Sequence, residues 1–433
     1  MKDQLHATFA ATIPVVLVLT NAPAEREHEA ERLAELTALL DTAGRAVLAI
    51  IIQHVQKAHP GTYVGSGKVQ EIVTALEQHQ ASEVVFDTQL TPRQQRNLEE
   101  ELESQVLDYD ELILEIFSRN ARTHQARLAV DLAHLEYTKS RLRRMWTHLD
   151  RQGGGGGGAG GSGARTGEGE KQIELDRRQV KRRIQDLKDR LALIESRTDR
   201  TVAARRDCFT VALVGYTNSG KSTLMNALTG AGVLAEDRLF ATLDTRTSRL
   251  VLDGHEDVTL SDTVGFIRNL PHTLIASFHA TLAEVREADL LLHVVDSSSP
   301  QMDQQIVTVE GVLDQIKAAE VPAIMVFNKS DRSYSRTLVA AFRKRYKHAV
   351  SVSALTGEGL DRLREAIVEA IGRKRRPVVI RYHAGDGALD AFVRSHTRII
   401  AESYEDDQAV MTVEVDDQLL GELKAKPAIT IVE

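Results

Sequence analysis

The octet Gly215-Tyr216-Thr217-Asn218-Ser219-Gly220-Lys221-Ser222 sets two glycines, a lysine and a hydroxyl in the spacing G-x-x-x-x-G-K-S. This combination suits the binding of a phosphate chain. The glycines let the main chain wrap an anion closely, and the loop amides and the following helix N-terminus supply positive potential. Lys221 is placed to neutralise the β- and γ-phosphates and the Ser222 hydroxyl to ligate Mg²⁺, with Thr223 next in the turn into the helix. The octet follows the apolar strand "VALV" and opens the helix "STLMNALTG", the context such a loop requires.

Three further elements come in order, each after a strand. Asp262-Thr263-Val264-Gly265 follows "VTLS". Asp262 is placed to hold the Mg²⁺ shell through water, and the Gly265 amide to meet the γ-phosphate. Asn328-Lys329-Ser330-Asp331 follows "AIMVF". A carboxylate at Asp331 accepts two hydrogen bonds from guanine, whereas adenine would leave it unpaired, so the ligand expected is GTP, with GDP as product. Ser353-Ala354 is expected to donate backbone amides to the guanine oxygen. Between the helix and the Asp262 strand, "RLFATLDTRT" has the position of a switch loop, and Thr242, with Thr245 as the fallback, is expected to reach Mg²⁺ and the γ-phosphate. The catalytic set is thus Lys221, Thr242 and Gly265, and the metal set Ser222, Thr242 and Asp262. Phe266 stands where many related switch enzymes carry glutamine, and a phenyl ring cannot orient a water. Slow intrinsic hydrolysis follows, with the missing positioning supplied by a partner surface or an ordered switch.

These loops need a sheet to carry them. From Phe209 to Ile371 the strand runs "FTVALVG", "SRLVLDG", "DVTLSDT", "LLLHVVD", "AIMVFNK" and "HAVSVSA" alternate with helical segments, as in a doubly wound α/β sheet. A similar alternation from Val15 to Asp108 predicts a first, mostly parallel α/β unit. Between them lie two helical stretches with 4-3 apolar spacing. One carries Leu128, Leu132, Leu135, Leu142, Trp146 and Leu149, with Lys139 interrupting the seam, and the other Val180, Ile184, Leu187, Leu191 and Ile194. They read as a long antiparallel hairpin. Its tip is the glycine-rich run "QGGGGGGAGGSGARTGEG" over 152–169. After "RKRRP" the tail reads strand, helix, strand, strand, a small α+β unit. At roughly 150 residues per domain, 433 residues allow about three domains; the expected boundaries are 1–108, 109–206, 207–374 and 375–433, with the hairpin and the tail as the smaller pieces.

The net charge of −8 hides segregation. Between Lys139 and Arg206 cations dominate, among them Arg141, Arg177, Arg178, Lys181, Arg182 and Arg183, giving the local field that phosphate contacts require. Aromatic content of 4% argues against base stacking as the main mode of contact. Cys208, the sole cysteine, points to a reducing compartment, so the cytoplasm is expected. The apolar runs are too short to span a bilayer. The faint signal-peptide pattern after Lys2 is better read as a first β-strand, given Asp3, His6 and the similar strand runs that follow.

The motifs "VGYTNSGKSTLMNALTG", "LFATLDT", "SDTVGFI", "NKSD" and "SAL", together with "LTPRQQRNLE", "LILEIFSRNARTH", "LAVDLAHLEY" and "GEGEKQIELDRRQVKRRI", resemble the HflX family of ribosome-associated GTPases. The resemblance covers nearly the whole chain. It implies GTP-dependent binding to the large ribosomal subunit, with the hairpin tip reaching ribosomal RNA near the peptidyl-transferase region, and splitting or rescue of stalled or idle ribosomes; separately from the resemblance, a monomer is expected. Bare glycine backbone at the tip would lie against RNA while the basic helices contact phosphates. Two features depart from the family pattern: "DYDELILEIF" stands where Asp-Arg-Thr is usual, and the glycine tract is longer and less regular.

Two other readings stay open on sequence. One is an ATP-using RNA-remodelling enzyme with a second nucleotide site at Gly65-Ser66-Gly67-Lys68, although that spacing suits a tight turn better. The other is a non-catalytic assembly or scaffolding factor locked by nucleotide.

Overall fold

The computed structural model describes residues 12–21, 29–55, 57–152, 178–194, 208–230, 239–240, 246–252, 255–271, 274, 282–332, 336–374, 376–415 and 417–432. Thr242, Thr245 and the glycine-rich run beyond Gln152 lie outside them, as do the side chains of Leu142, Trp146 and Leu149.

The first unit runs β1 (Ile13–Asn21), α1 (Glu29–Thr42), β2 (Arg45–His54), α2 (Ser66–His79), β3 (Glu83–Phe86), α3 (Pro92–Leu102), β4 (Gln105–Leu107) and α4 (Tyr109–Asn120). Its strands form a parallel sheet in the order β2-β1-β3-β4. The stretch read as a first strand rather than a leader is thus paired on both sides. A central parallel strand needs apolar residues on both faces. In β1, Leu17 and Leu19 pack with Leu39, Leu40 and Phe117 of α1 and α4, while Val16 and Val18 pack with Ile72 and Leu98 of α2 and α3. The "LTPRQ" run opens α3 as a capping box: Thr91 Oγ1 accepts from Gln94 N at 3.3 Å, and Thr91 N donates to Gln94 Oε1 at 3.0 Å, with Pro92 at the first turn.

The hairpin helices are α5 (His124–Gln152) and α6 (178–194). At 29 residues α5 is long, about 44 Å at 1.5 Å per residue. Ile184, Leu187 and Leu191 of α6 share a core with Leu128 and Leu132 of α5, and Lys188 pairs with Glu136 at 2.7 Å. The base of α5 is tied to the sheet through Asp108, which is fully buried. Its carboxylate caps α4 by accepting from Glu111 N at 2.9 Å, and also accepts from Leu90 N at 3.1 Å and Tyr137 OH at 2.8 Å. The Arg141 guanidinium pairs with it and stacks over the Tyr137 ring at 4.2 Å. Burial, then the Asp108 charge, raises the Glu111 carboxyl above its usual range. The first of the two departures from the family pattern, "DYDE", therefore holds the anchor of the hairpin.

The second unit has strands β5 (Phe209–Gly215), β6 (Arg246–Leu252), β7 (His255–Asp262), β8 (Leu290–Asp296), β9 (Ala323–Asn328) and β10 (Ala349–Ser351), with α7 (Lys221–Thr229) after β5. The sheet order is β10-β9-β8-β5-β7-β6. All neighbours are parallel except β6 and β7, which pair antiparallel without a helix between them, unlike the alternation expected there. The tail adds to the expected strand-helix-strand-strand a second helix, Asp417–Lys424, and a last strand, β14 (Thr430–Val432). With β11 (Arg376–His383), β12 (Arg398–Glu405) and β13 (Gln408–Val415) it forms an antiparallel sheet in the order β12-β13-β11-β14, a split β-α-β layer.

Removing one partner of a buried ion pair leaves the other charge uncompensated. Arg141→Met should therefore destabilise the first unit by about 3 kcal/mol in urea unfolding of the full chain, because Asp108 is left buried with its charge. A loss below about 0.5 kcal/mol would show that the pair behaves as a surface contact and does not anchor α5.

Candidate nucleotide site

Gly215 ends β5, and the loop to Gly220 carries the chain into α7. Gly220 has φ +91°, and a Cβ there would meet Asn328 Nδ2 at 2.3 Å, so only glycine allows the approach. That approach joins two distant motifs. Asn328 Nδ2 donates to Ser219 O at 2.9 Å, and Asn328 Oδ1 accepts from Ala354 N at 3.0 Å. Lys329 Nζ donates to Asn218 O at 2.8 Å and pairs with Asp296 at 2.8 Å. Ser353 Oγ donates to Asp331 Oδ1 at 2.6 Å. The expected base-recognition residues thus converge on the phosphate loop. The two amides assigned to the guanine oxygen are both engaged, Ala354 N with Asn328 and Ser353 N with Glu358 O at 2.9 Å. In this structure the pair joins Asn328 to Asp331.

Lys221 is buried, and its Nζ donates to the carbonyls of Gly215 at 3.1 Å and Tyr216 at 2.9 Å. Burial lowers its pKa to about 8, with the Asp262 charge opposing that shift. His293, buried on β8 and absent from the expected set, is pushed down to about 4 by burial and then by Lys221, so it adds no second cation beneath the site. Ser222 Oγ donates to Asp262 Oδ2 at 2.6 Å, which sets two of the three expected metal-binding residues side by side. Among the described residues Thr217 Oγ1 and Ser219 Oγ are buried with no hydrogen-bond partner, and both belong to the phosphate loop, where a polyphosphate would supply partners. Thr223 is half-buried in the first turn of α7.

The segment after Asp262 lies on this loop. Phe266 N donates to Gly215 O at 3.1 Å, and Thr217 N donates to Phe266 O at 2.7 Å. A Cβ on Gly265 would stand 2.9 Å from Thr217 Cα and 3.0 Å from Lys221 Nζ, so a side chain at this position would crowd the phosphate loop and the ammonium. The Phe266 ring is 1% exposed, within the core that α1 and α4 of the first unit share. It serves as an anchor, not as a water-positioning group.

Sequence spacing missed the groups that hold this segment from the other side. The Tyr216 ring leaves the phosphate loop for the interface with the first unit. Its hydroxyl donates to Glu35 Oε1 of α1 and accepts from Arg268 N at 2.9 Å. Tyr109 OH of α4 donates to Arg268 O at 2.8 Å. Burial raises the Glu35 carboxyl and both tyrosine hydroxyls above their usual ranges. The start of the other expected switch loop is held similarly: the Phe240 ring lies 4.7 Å from that of Phe117, and Asn120 Nδ2 donates to Phe240 O at 3.2 Å. A cleft of about 520 Å³ at the carboxyl ends of β1 and β3 is bordered by Asn269, Leu270 and Pro271. Gly65 to Lys68 do not line it. Instead Gly65 caps α2, Ser66, Gly67 and Lys68 form its first turn, and Lys68 pairs with Glu71 at 2.6 Å.

Fold and site together define a P-loop GTPase carrying an additional α/β unit and hairpin in front of its GTP-binding domain. Comparison with known proteins narrows the class. Residues 30–118 match the family described as GTP-binding GTPase N-terminal, 120–205 its GTP-binding GTPase Middle Region, and 210–329 the 50S ribosome-binding GTPase family. The GTPase HflX of Magnetococcus marinus is 42% identical over 422 residues, 97% of this chain and 96% of that one. The GTPase HflX of Escherichia coli K12 is 39% identical over 396 residues, 91% of each. A GTP-binding protein from Sulfolobus solfataricus, solved with GDP, is 25% identical and covers 83% of this chain and 99% of its own, with a TM-score of 0.42, an overlap too loose to transfer geometry. The chain belongs to the HflX family of GTPases.

A polyphosphate favours the charged form of Lys221, whose pKa in the free protein is about 8. Binding must therefore draw in a proton above pH 8 and none well below it. Calorimetry of GDP binding in two buffers of different ionisation heat should show uptake rising from about a quarter of a proton at pH 7.5 to about three-quarters at pH 8.5. Equal uptake at the two pH values would mean that Lys221 is not desolvated as the structure has it.

Proposed function

We propose that this GTPase is a nucleotide-operated switch that binds the large ribosomal subunit and promotes the splitting or rescue of stalled or idle ribosomes. The observation that carries this reading is a helical hairpin bolted at Asp108 to a domain that also grips the loops around the γ-phosphate position. The family descriptions and the two HflX relatives support the ribosomal partner. The glycine-rich run over 152–169 would present bare backbone to ribosomal RNA near the peptidyl-transferase region, flanked by the basic positions of the hairpin. The protein acts as a monomer in the cytoplasm. Among the described residues no helix is long and apolar enough to cross a membrane.

In the site, the amides of Gly215 to Ser222 wrap the phosphate chain, Lys221 turns from its own loop carbonyls to the β- and γ-phosphates, and Asp331 accepts from guanine. The Ser222 and Asp262 oxygens, 2.6 Å apart, suit Mg²⁺, with Thr242 as the third donor. Bound there, Mg²⁺ would offset phosphate charge as the γ-bond breaks. The Gly265 amide faces the γ-phosphate. With the Phe266 ring buried, no side chain at that position orients the attacking water, and the ribosome supplies the missing order.

GTP turnover should rise at least tenfold with large subunits, and co-sedimentation should be stronger with a non-hydrolysable GTP analogue than with GDP, weakening steeply with salt. Equal sedimentation in both nucleotide states would refute the switch. Asp331→Ala should weaken GDP binding by about 1.5–3 kcal/mol, the value of hydrogen bonds to a charged group. An unchanged GDP affinity would remove Asp331 from base recognition.

A further inference from the structure

The peptide of Arg268 is held on both sides by groups that lie off its own segment. Its N–H donates to the Tyr216 hydroxyl, which is itself fixed by Glu35, and its C=O accepts from Tyr109. Two residues earlier, Phe266 is paired to the phosphate loop at both its N–H and its C=O. Gly265, next to it, lies so near Lys221 that a Cβ there would come within 3.0 Å of the ammonium. A γ-phosphate that bonds to both Lys221 and the Gly265 amide must enter between them. The chain cannot give way there while Arg268 stays fixed, because only Ile267, itself completely buried, separates the two paired residues.

We infer that Glu35 and Tyr109, in the first domain, are positioning residues of the GTPase site: acting through Tyr216 and the Arg268 peptide, they hold the Gly265–Arg268 segment shut on the phosphate loop, and engagement of the γ-phosphate works against that hold. GDP, which has no γ-phosphate, leaves the hold intact. Tyr109 directly follows Asp108, the residue that receives Tyr137 and Arg141 of α5. The hairpin anchor and the γ-phosphate clasp are thus neighbours at one helix N-terminus. By reciprocity of coupled equilibria, a partner that loads the hairpin also shifts the preference for GTP over GDP.

The inference rests on the nucleotide-site reading above. The test uses the full-length protein with Tyr109→Phe, which removes one hydroxyl, and separately Glu35→Ala, with β,γ-imido-GTP and GDP as the two probes. Losing a hydrogen bond present only in the shut state, worth about 1 kcal/mol, should raise the GTP-analogue affinity about fivefold and leave GDP affinity within twofold of wild type. Glu35→Ala should shift the ratio in the same direction, so either folded variant decides the matter. An unchanged or lowered ratio of analogue to GDP affinity, or equal weakening of both nucleotides, would overturn the inference. Failure of the wild-type protein to bind GDP would instead refute the site itself, so the two failures can be told apart.

Discussion

The structure turns on one short length of main chain, Gly265 to Arg268, and on what its polar groups are bonded to. On one side the phosphate loop takes both hydrogen bonds of Phe266. On the other, two tyrosines take both those of Arg268. Buried backbone groups must be paired, so a segment satisfied in this way cannot shift without finding new partners for four polar groups at once. Such a segment is held in one arrangement until all four partners are exchanged together.

The surrounding packing explains why a phenylalanine is useful at position 266. A glutamine would bring an amide into the apolar core formed by the first domain and the segment, at the cost of burying polar groups. The ring fills that core instead. Phe240 does the same at the other switch loop against Phe117. Phe240 and the Gly265–Arg268 segment therefore both rest on α4, and α4 begins at the buried carboxylate that fixes the hairpin. The long lever and the chemical site share a fulcrum without needing a direct contact.

Much of this was legible in the sequence. The phosphate loop, "SDTVG", "NKSD" and "SAL" are local patterns whose spacing reflects local geometry, and all six strands of the GTP-binding domain appear where the apolar runs lie. The heptad spacing of Ile184, Leu187 and Leu191 predicted their burial. Tyr216, Glu35 and Tyr109 could not be read in the same way. Tyr216 and Glu35 are separated by 181 positions, and no periodicity marks a residue whose partner is set by how two domains dock. The β6–β7 pairing was masked because a tight reversal carries too little sequence to show that a helix is missing. The helix Asp417–Lys424 has only 8 residues, too few for its apolar spacing to repeat.

The most direct test of the account is hydrogen exchange in the first domain as a function of nucleotide. With GDP bound, peptides covering Glu29–Thr42 and Tyr109–Asn120 should stay as protected as in the free protein. With β,γ-imido-GTP bound, protection at the N-terminal turn of α4 and along the Glu35 face of α1 should fall, although neither helix touches the nucleotide. Identical protection of both helices in the two states would contradict the claim that the γ-phosphate acts against the first domain.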